Sequence, residues 1–121
     1  MKIRVRKSSL KGEIRIPPSK SHTIRAICLA ALSKGVSTIY YPLKSADTLA
    51  CLSAVQALGA TLEDNGDNWK ITGFGGKPIV PDSPINVKNS GTTMNFLIAM
   101  AALGEGEIEL TGDESICKRP V

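Results

Sequence analysis

Aromatic residues and histidine are scarce in this sequence of 121 residues. Aromatic side chains make up 4% of it, and His22 is the only histidine. A multi-histidine metal site is therefore excluded, and nucleic-acid bases would find few side chains on which to stack. The sequence also lacks a run of the roughly 20 apolar residues that a transmembrane helix needs, and its first residues lack the apolar core of a signal peptide. We therefore expect a soluble, cytoplasmic protein with no membrane partner.

The three cysteines fit neither a disulfide framework nor a zinc motif. Cys28, Cys51 and Cys117 are odd in number and widely spaced, without a C-x-x-C pair. Cys28 and Cys51 lie in apolar helical patterns, where a small buried thiol is expected. Cys117 precedes Lys118-Arg119, and nearby cations can make a thiol reactive. The sequence thus indicates free thiols, and no metal or cofactor is expected.

Positive charge is concentrated at the beginning of the chain. Residues 1–25 carry eight of the fifteen basic residues and one acid, a net charge of +7, whereas residues 26–121 sum to −3. A basic segment can bind nucleic acid without catalysis, which is one alternative for the function. Against this alternative, the segment lacks aromatic residues for base stacking.

The hydrophobic pattern predicts alternating strands and helices that form a β-α-β-α-β-β unit. The predicted elements are two strands or a hairpin within residues 1–16, a helix from Ser19 to Gly35, a strand over residues 36–41, a helix over 46–58 and a hairpin over 61–72.

Part of this unit is repeated. A shift of 71 residues aligns Ser19 with Ser90, Ile27 with Ile98 and Gly35 with Gly106. The second copy is predicted to have a strand over residues 84–87, a helix over 92–103 and a strand over 107–111. Under this shift the last residue falls early in the second helix of the unit. We therefore expect a piece or a shortened relative of a longer polypeptide, with one repeat over residues 17–82 and a truncated one over residues 83–121.

Both copies begin their first helix with residues that suit an anion. Pro17-Pro-Ser-Lys-Ser-His-Thr-Ile-Arg25 starts the first helix, and Asn89-Ser-Gly-Thr-Thr93 starts its repeat. The unpaired N–H groups and the positive end of a helix dipole favour a bound anion, and in successive copies two such starts can converge on one cleft. An ordinary serine cap with solvated cations is the alternative for each motif.

Two further polar groups bear on this cleft. Lys118-Arg119 follows the last predicted strand, and a guanidinium there can clamp a phosphate or a carboxylate. Asp47 is expected to cap the second helix, and the alternative is a polar partner in the cleft. Lys118 is expected to be exposed to solvent.

Three motifs together resemble a known enzyme family. Pro18-Ser-Lys-Ser-x-x-x-Arg25, Asn89-Ser-Gly-Thr-Thr-Met94 and Leu110-Thr-Gly-Asp-Glu-Ser-x-x-Lys-Arg-Pro120 closely resemble the amino-terminal part of the EPSP synthases, the 3-phosphoshikimate 1-carboxyvinyltransferases of the enolpyruvyl transferase family. The resemblance runs nearly the length of the chain. It implies a mixed α/β (α+β) fold of repeated βαβαββ units, an inside-out α/β barrel that is incomplete here, with residues 1–16 as strands of a second domain.

The activity that this resemblance implies is transfer of the enolpyruvyl group of phosphoenolpyruvate to the 5-hydroxyl of shikimate 3-phosphate. The products are EPSP and phosphate, on the shikimate pathway to chorismate and the aromatic amino acids. The substrates would bind between two domains of a cytoplasmic, monomeric enzyme, without cofactor or metal.

The resemblance also assigns site residues. It makes Lys20 a contact of both substrates, with Ser21 and Arg25 on shikimate 3-phosphate and Gly91, Thr92 and Arg119 on phosphoenolpyruvate. The family's acidic residues for proton transfer would lie beyond this sequence, so Lys20 is the one possible contributor to catalysis here. The expected partner is the remainder of the same polypeptide, and the isolated chain is expected to lack transferase activity and to bind shikimate 3-phosphate only weakly.

Three residues depart from the family pattern, and two other functions stay open. Asn95 stands where the family usually carries Arg, Cys117 where basic or polar residues are common, and Val121 where Met or Ile is more usual. A relative of the UDP-N-acetylglucosamine enolpyruvyl transferases is an alternative, although their first motif pairs the lysine with Asn, whereas here Lys20 precedes Ser21. A non-catalytic half-domain is the other.

Overall fold

Helices form where apolar residues recur at helical spacing. The computed structural model describes residues 1–120. Its helices are α1 (Lys20–Leu32), α2 (Ala46–Ala57), α3 (Gly91–Ala101) and the single turn α4 (Glu114–Cys117). The three predicted helices are confirmed with small differences at their ends. Val121, the last residue of the expected second repeat, lies outside the described residues.

The strands form one antiparallel sheet and one short parallel pair. Strands β1 (Lys34–Tyr40), β2 (Thr61–Asp64) and β3 (Asn68–Phe74) are arranged in the order β1-β3-β2. The hairpin between β2 and β3 turns at Gly66, whose φ of 82° favours glycine. Strands β4 (Ile85–Asn86) and β5 (Leu110–Thr111) pair in parallel. The mixed α/β class and the predicted hairpin are confirmed.

The hydrophobic core lies between the helices and one face of the antiparallel sheet. Trp69 and Ile71 of β3 are fully buried against Ile24 and Ile27 of α1, within a core that also includes residues of α2, α3 and α4. The end of α1 approaches β3 closely at Gly73, where a Cβ atom would lie 2.3 Å from the carbonyl oxygen of Ser33. A glycine is therefore required there for the helix to pack against the strand.

The repeat predicted from the sequence is visible in the helix starts. Ser19 caps α1 and Ser90 caps α3, and each side chain accepts a hydrogen bond from the backbone N–H three residues later. The first helical residues, Lys20 and Gly91, are 71 positions apart, which is the offset found in the sequence. Equivalent residues therefore begin equivalent helices.

The strands predicted within residues 1–16 are not formed among the described residues, since residues 1–19 contain no strand or helix there, and their assignment to a second domain stays a prediction. The alternating side chains Ile3, Val5, Ile14 and Ile16 are between 72% and 87% exposed. Alternation makes a strand stable only when a neighbouring strand and a packed face are available, and an isolated hairpin is marginal in water. The described residues offer this segment neither.

The strands of the second copy are shorter than predicted. The predictions over residues 84–87 and 107–111 correspond to the two-residue strands β4 and β5, which among the described residues pair with each other alone. None of the helices over residues 1–120 is long and apolar enough to cross a membrane.

Candidate anion-binding site

The starts of α1 and α3 open onto one cavity of about 450 Å³. Its walls come from both copies of the repeat and from the segment that contains α4. The lining residues are Lys20, Asp47, Asn89, Gly91, Thr92, Met94, Asn95, Ile116, Arg119 and Pro120.

One wall is an ion pair between α1 and α2. The Nζ atom of Lys20, the first residue of α1, lies 2.6 Å from Oδ2 of Asp47 in the first turn of α2. The expectation that Asp47 caps α2 is wrong, because Ser45 is the cap and shares a reciprocal capping box with Thr48. Asp47 is thereby free to face Lys20, and it is the polar partner that the sequence left as the alternative.

The opposite wall is the first turn of α3. Ser90 is 2% exposed, and its Oγ lies 2.7 Å from Oγ1 of Thr93, which fixes the start of the helix. Gly91 and Thr92 follow in the first turn, where backbone N–H groups have no partner within a helix. Asn89 precedes the cap and also lines the cavity. This wall therefore offers N–H donors and the positive end of the α3 dipole.

Arg119, two residues after the end of α4, closes the site. Asp113 caps α4 by accepting a hydrogen bond from the backbone N–H of Ile116, 2.9 Å away, and the side-chain amide of Asn89 donates to the same carboxylate. These two bonds, that of Asn89 first, lower the pKa of Asp113 below its ordinary value, so the group is ionised at neutral pH. Asp113 thus links the loop before α3 to α4, which directly precedes Lys118 and Arg119.

The guanidinium of Arg119 lies directly against Gly91. Nη2 of Arg119 donates to Oγ of Ser115 at 3.1 Å, which orients the side chain. A Cβ atom on Gly91 would be 3.0 Å from Nη1 of Arg119 and 3.7 Å from Ile116 Cδ1. The absence of a side chain at Gly91 therefore lets the guanidinium reach the first turn of α3.

The chemistry of this cavity suits a small organic anion. Lys20 and Arg119 supply two positive charges, Asp47 one negative charge, and Asn89 and Asn95 supply amide groups. A guanidinium beside helical N–H donors can bind a phosphate or a carboxylate through several charge-assisted hydrogen bonds. Within residues 1–120 no cluster of three His, Cys, Asp or Glu side chains has the arrangement of a metal site.

Of the six residues that the family resemblance singled out, four line this cavity. These are Lys20, Gly91, Thr92 and Arg119. Among the described residues, Ser21 and Arg25 do not line it. Arg25 instead borders an apolar groove on the outer side of α1 and α3. The difference follows from helix geometry, because residues one and five positions after Lys20 point to other sides of the helix.

Asn89 and Pro120 line the cavity although the sequence reasoning assigned them no role. The position of Asn89 directly before the helix cap Ser90 could have predicted its place in the site. Lys118 behaves as expected: its ammonium group is exposed and pairs with Glu114, four residues earlier. Trp69 is a fully buried packing residue.

Comparisons with known proteins give one family. The sequence matches the family model described as EPSP synthase (3-phosphoshikimate 1-carboxyvinyltransferase) over residues 5–121. A 3-phosphoshikimate 1-carboxyvinyltransferase of Acetivibrio thermocellus is 50% identical over 121 residues, and one of Methanococcoides burtonii is 52% identical over 120 residues. These alignments cover 100% and 99% of this chain but 29% and 28% of the relatives, so the chain spans less than a third of their length.

A solved structure is similar as well. The EPSP synthase from Acinetobacter baumannii matches with a TM-score of 0.82 and 32% sequence identity. The match covers 90% of this chain and 25% of that chain.

Proposed function

We propose, because the chain belongs to the EPSP synthase family, that it forms the amino-terminal part of an enzyme that transfers the enolpyruvyl group of phosphoenolpyruvate to the 5-hydroxyl of shikimate 3-phosphate. The observation that carries this proposal is the cavity in which Lys20 of one repeat faces Gly91 and Arg119 of the next. A cavity of about 450 Å³ that is lined by two cations and a helix start suits a ligand with a phosphate and a carboxylate.

In this proposal phosphoenolpyruvate occupies the cavity itself. Arg119 and the N–H groups of Gly91 and Thr92 bind its anionic groups, and Lys20 reaches it from the opposite wall. Lys20 also contacts shikimate 3-phosphate, which Ser21 and Arg25 bind on the neighbouring surface of α1. The polypeptide beyond this sequence would cover that surface, since the chain spans 29% of the relative from Acetivibrio thermocellus.

The contribution of this chain to the reaction is electrostatic. The transfer requires protonation of the methylene carbon of phosphoenolpyruvate, attack by the 5-hydroxyl with loss of its proton, and loss of phosphate together with a proton of the new methyl group from the tetrahedral intermediate. Charge moves onto the phosphate as it leaves, and preorganised donors such as Arg119 and Lys20 stabilise that charge. The residues that transfer the protons belong, in this proposal, to the remaining part of the enzyme.

The exposed segment over residues 1–16 has a place in the same proposal. Its alternating isoleucine and valine side chains are exposed and have the pattern of a strand that lacks a neighbour. We propose that these residues pair with strands of a second domain, while residues 17–82 form the first repeat and 83–121 begin the second. The whole enzyme is proposed to be monomeric and cytoplasmic, with no nucleic-acid or membrane partner.

A binding experiment tests the site. Phosphoenolpyruvate and inorganic phosphate are titrated into the ¹⁵N-labelled chain, and the amide shifts of Gly91 and Thr92 are followed. We expect Arg119→Ala to weaken binding about tenfold, the loss of one charge-assisted interaction. Lys118→Ala is the matched control, because Lys118 is the adjacent cation but pairs with Glu114. Equal affinities for the two variants would contradict the proposed site.

An activity experiment tests the reaction. Residues 1–121 replace the corresponding segment of the Acetivibrio thermocellus relative, to which they are 50% identical. Phosphate release that depends on both substrates is the readout, and the isolated chain is measured in parallel. We expect the chimera to be active, and its Arg119→Ala variant to lose activity far more than its Lys118→Ala variant. A well-folded chimera that releases no phosphate would refute the proposal.

A further inference from the structure

Two buried thiols from different helices meet in the hydrophobic core. Sγ of Cys28 in α1 lies 3.8 Å from Sγ of Cys51 in α2, and both cysteines are free. Cys28 is 3% exposed and Cys51 is fully buried. Neither thiol has a role in the proposed reaction, and no other cysteine among the described residues lies in the core.

We propose that Cys28 and Cys51 are a redox-sensitive pair that a peroxide converts into a reversible intramolecular disulfide between α1 and α2. The thiols need to approach from 3.8 Å to a bond length of about 2.05 Å, and rotation about the two Cα–Cβ bonds together with small helix shifts can provide this. The inference is independent of the substrates of the enzyme.

A small oxidant can reach one of the two thiols. Cys28 borders the apolar groove of about 360 Å³ between the outer faces of α1 and α3, next to Arg25, Leu29 and Phe96. Cys51 lies behind it in the core. The two positions therefore differ in access, and Cys28 is the thiol that meets the oxidant first.

The ionisation of the pair favours the same order. With the Cys51 S–H donating to Cys28, the pKa of Cys28 is lowered from its ordinary value. The same contact, together with burial, raises the pKa of Cys51. Since the thiolate is the nucleophile, Cys28 is the group that attacks the peroxide and Cys51 is the group that resolves the product.

The reaction proceeds in two balanced steps. The Cys28 thiolate attacks one oxygen of hydrogen peroxide, the O–O bond breaks, and a sulfenic acid and hydroxide form. The Cys51 sulfur then attacks the Cys28 sulfur, the S–O bond breaks, and water leaves as the disulfide forms. Overall two thiols lose two electrons and two protons, hydrogen peroxide becomes two waters, and a dithiol reductant reverses the change.

The test uses the full chain with Cys117→Ser, which removes the exposed third thiol. The folded protein is treated with hydrogen peroxide, denatured, alkylated with iodoacetamide and digested with trypsin. Cleavage after lysine and arginine places Cys28 in the peptide of residues 26–34 and Cys51 in that of residues 45–70. We expect these two peptides to be joined, and dithiothreitol to separate them.

Two control variants distinguish the order of attack. In the same background, Cys51→Ser leaves Cys28 without a resolving partner, so dimedone should trap its sulfenic acid, whereas Cys28→Ser should leave Cys51 unmodified. The disulfide should also raise the melting temperature of the chain by roughly 10 °C, because it closes a loop in the unfolded state.

Two results would overturn the proposal. One is full alkylation of both cysteines after a peroxide treatment that oxidises Cys117 in the native sequence. The other is a link that forms only between molecules and depends on protein concentration. If Cys117→Ser does not fold, blocking Cys117 with N-ethylmaleimide in the native chain gives the same test, since Cys117 is the exposed thiol.

Discussion

The contact between Gly91 and Arg119 allows a prediction that separates binding from folding. In Gly91→Ala the new Cβ atom would lie 3.0 Å from Nη1 of Arg119, whereas an unstrained contact needs about 3.5 Å. The guanidinium must therefore move by roughly half an ångström or rotate away from the first turn of α3. Ile116 Cδ1, at 3.7 Å, tolerates the methyl group. The substitution thus acts on one side chain of the site.

The expected effects on affinity and on stability have opposite signs. Displacing Arg119 weakens a charge-assisted hydrogen bond, and a loss of about 1.4 kcal/mol lowers the affinity for phosphoenolpyruvate about tenfold. The backbone of Gly91 is helical and lies outside the left-handed region, so alanine there should stabilise the fold by up to about 1 kcal/mol. We therefore expect weaker binding from a protein whose melting temperature is unchanged or higher.

A double-mutant cycle checks that Gly91 acts through Arg119. Binding of phosphoenolpyruvate is measured by calorimetry or by amide shifts in the native chain, Gly91→Ala, Arg119→Ala and the double variant. If the methyl group acts by displacing the guanidinium, it should have almost no further effect once Arg119 is alanine. An unchanged affinity in Gly91→Ala, or full additivity in the cycle, would refute the reasoning.

Two further predictions concern charge at the same site. Asn95→Arg adds a cation to the lining of the cavity and should tighten phosphate binding several-fold at low salt. Ala99→Arg, one turn later on α3 and outside the cavity, is the control and should leave the affinity unchanged. Equal effects of the two substitutions, in titrations at two salt concentrations, would argue against phosphate binding in the cavity. The bonds from Asn89 and Ile116 lower the pKa of Asp113, so its ionised form stabilises the fold above about pH 4 and this contribution is lost as the pH falls through the lowered pKa. The melting temperature should therefore fall more steeply between pH 7 and pH 2.5 for the native chain than for Asp113→Asn. An equal fall in both proteins would exclude this role for Asp113.

Local sequence signals predicted the helices and the two helix starts well. Ser19 and Ser90 lie directly before apolar residues at helical spacing, and a cap needs only the residues of its own first turn. The repeat then related the two starts, because equal offsets in the sequence became equal positions in the helices. The membership of the EPSP synthase family, predicted from three motifs, is confirmed by the match over residues 5–121.

Features that depend on distant residues were predicted less well. Asp47 had two possible roles in the sequence, and only packing of α2 against α1 brings it to Lys20, 27 residues earlier in the chain. The alternating pattern of residues 1–16 predicts strands, but a strand needs a neighbour that the described residues do not supply. The contact between Cys28 and Cys51 likewise arises from the packing of α1 against α2, and their separation in the sequence does not predict it.

The ion pair between Lys20 and Asp47 is weak enough for an anionic ligand to compete with Asp47 for the ammonium group of Lys20. The side chain of Lys20 is 51% exposed and that of Asp47 26% exposed, so water screens the pair and its net contribution to stability is small. A ligand that carries two or more negative charges can therefore attract the ammonium group without having to break a strong bond. Asp47 meanwhile holds the ammonium group of Lys20 at the cavity wall, which reduces the side-chain entropy lost on binding. The carboxylate of Asp47 is thus compatible with anion binding in this cavity, because it positions the ammonium group of Lys20 that faces the ligand.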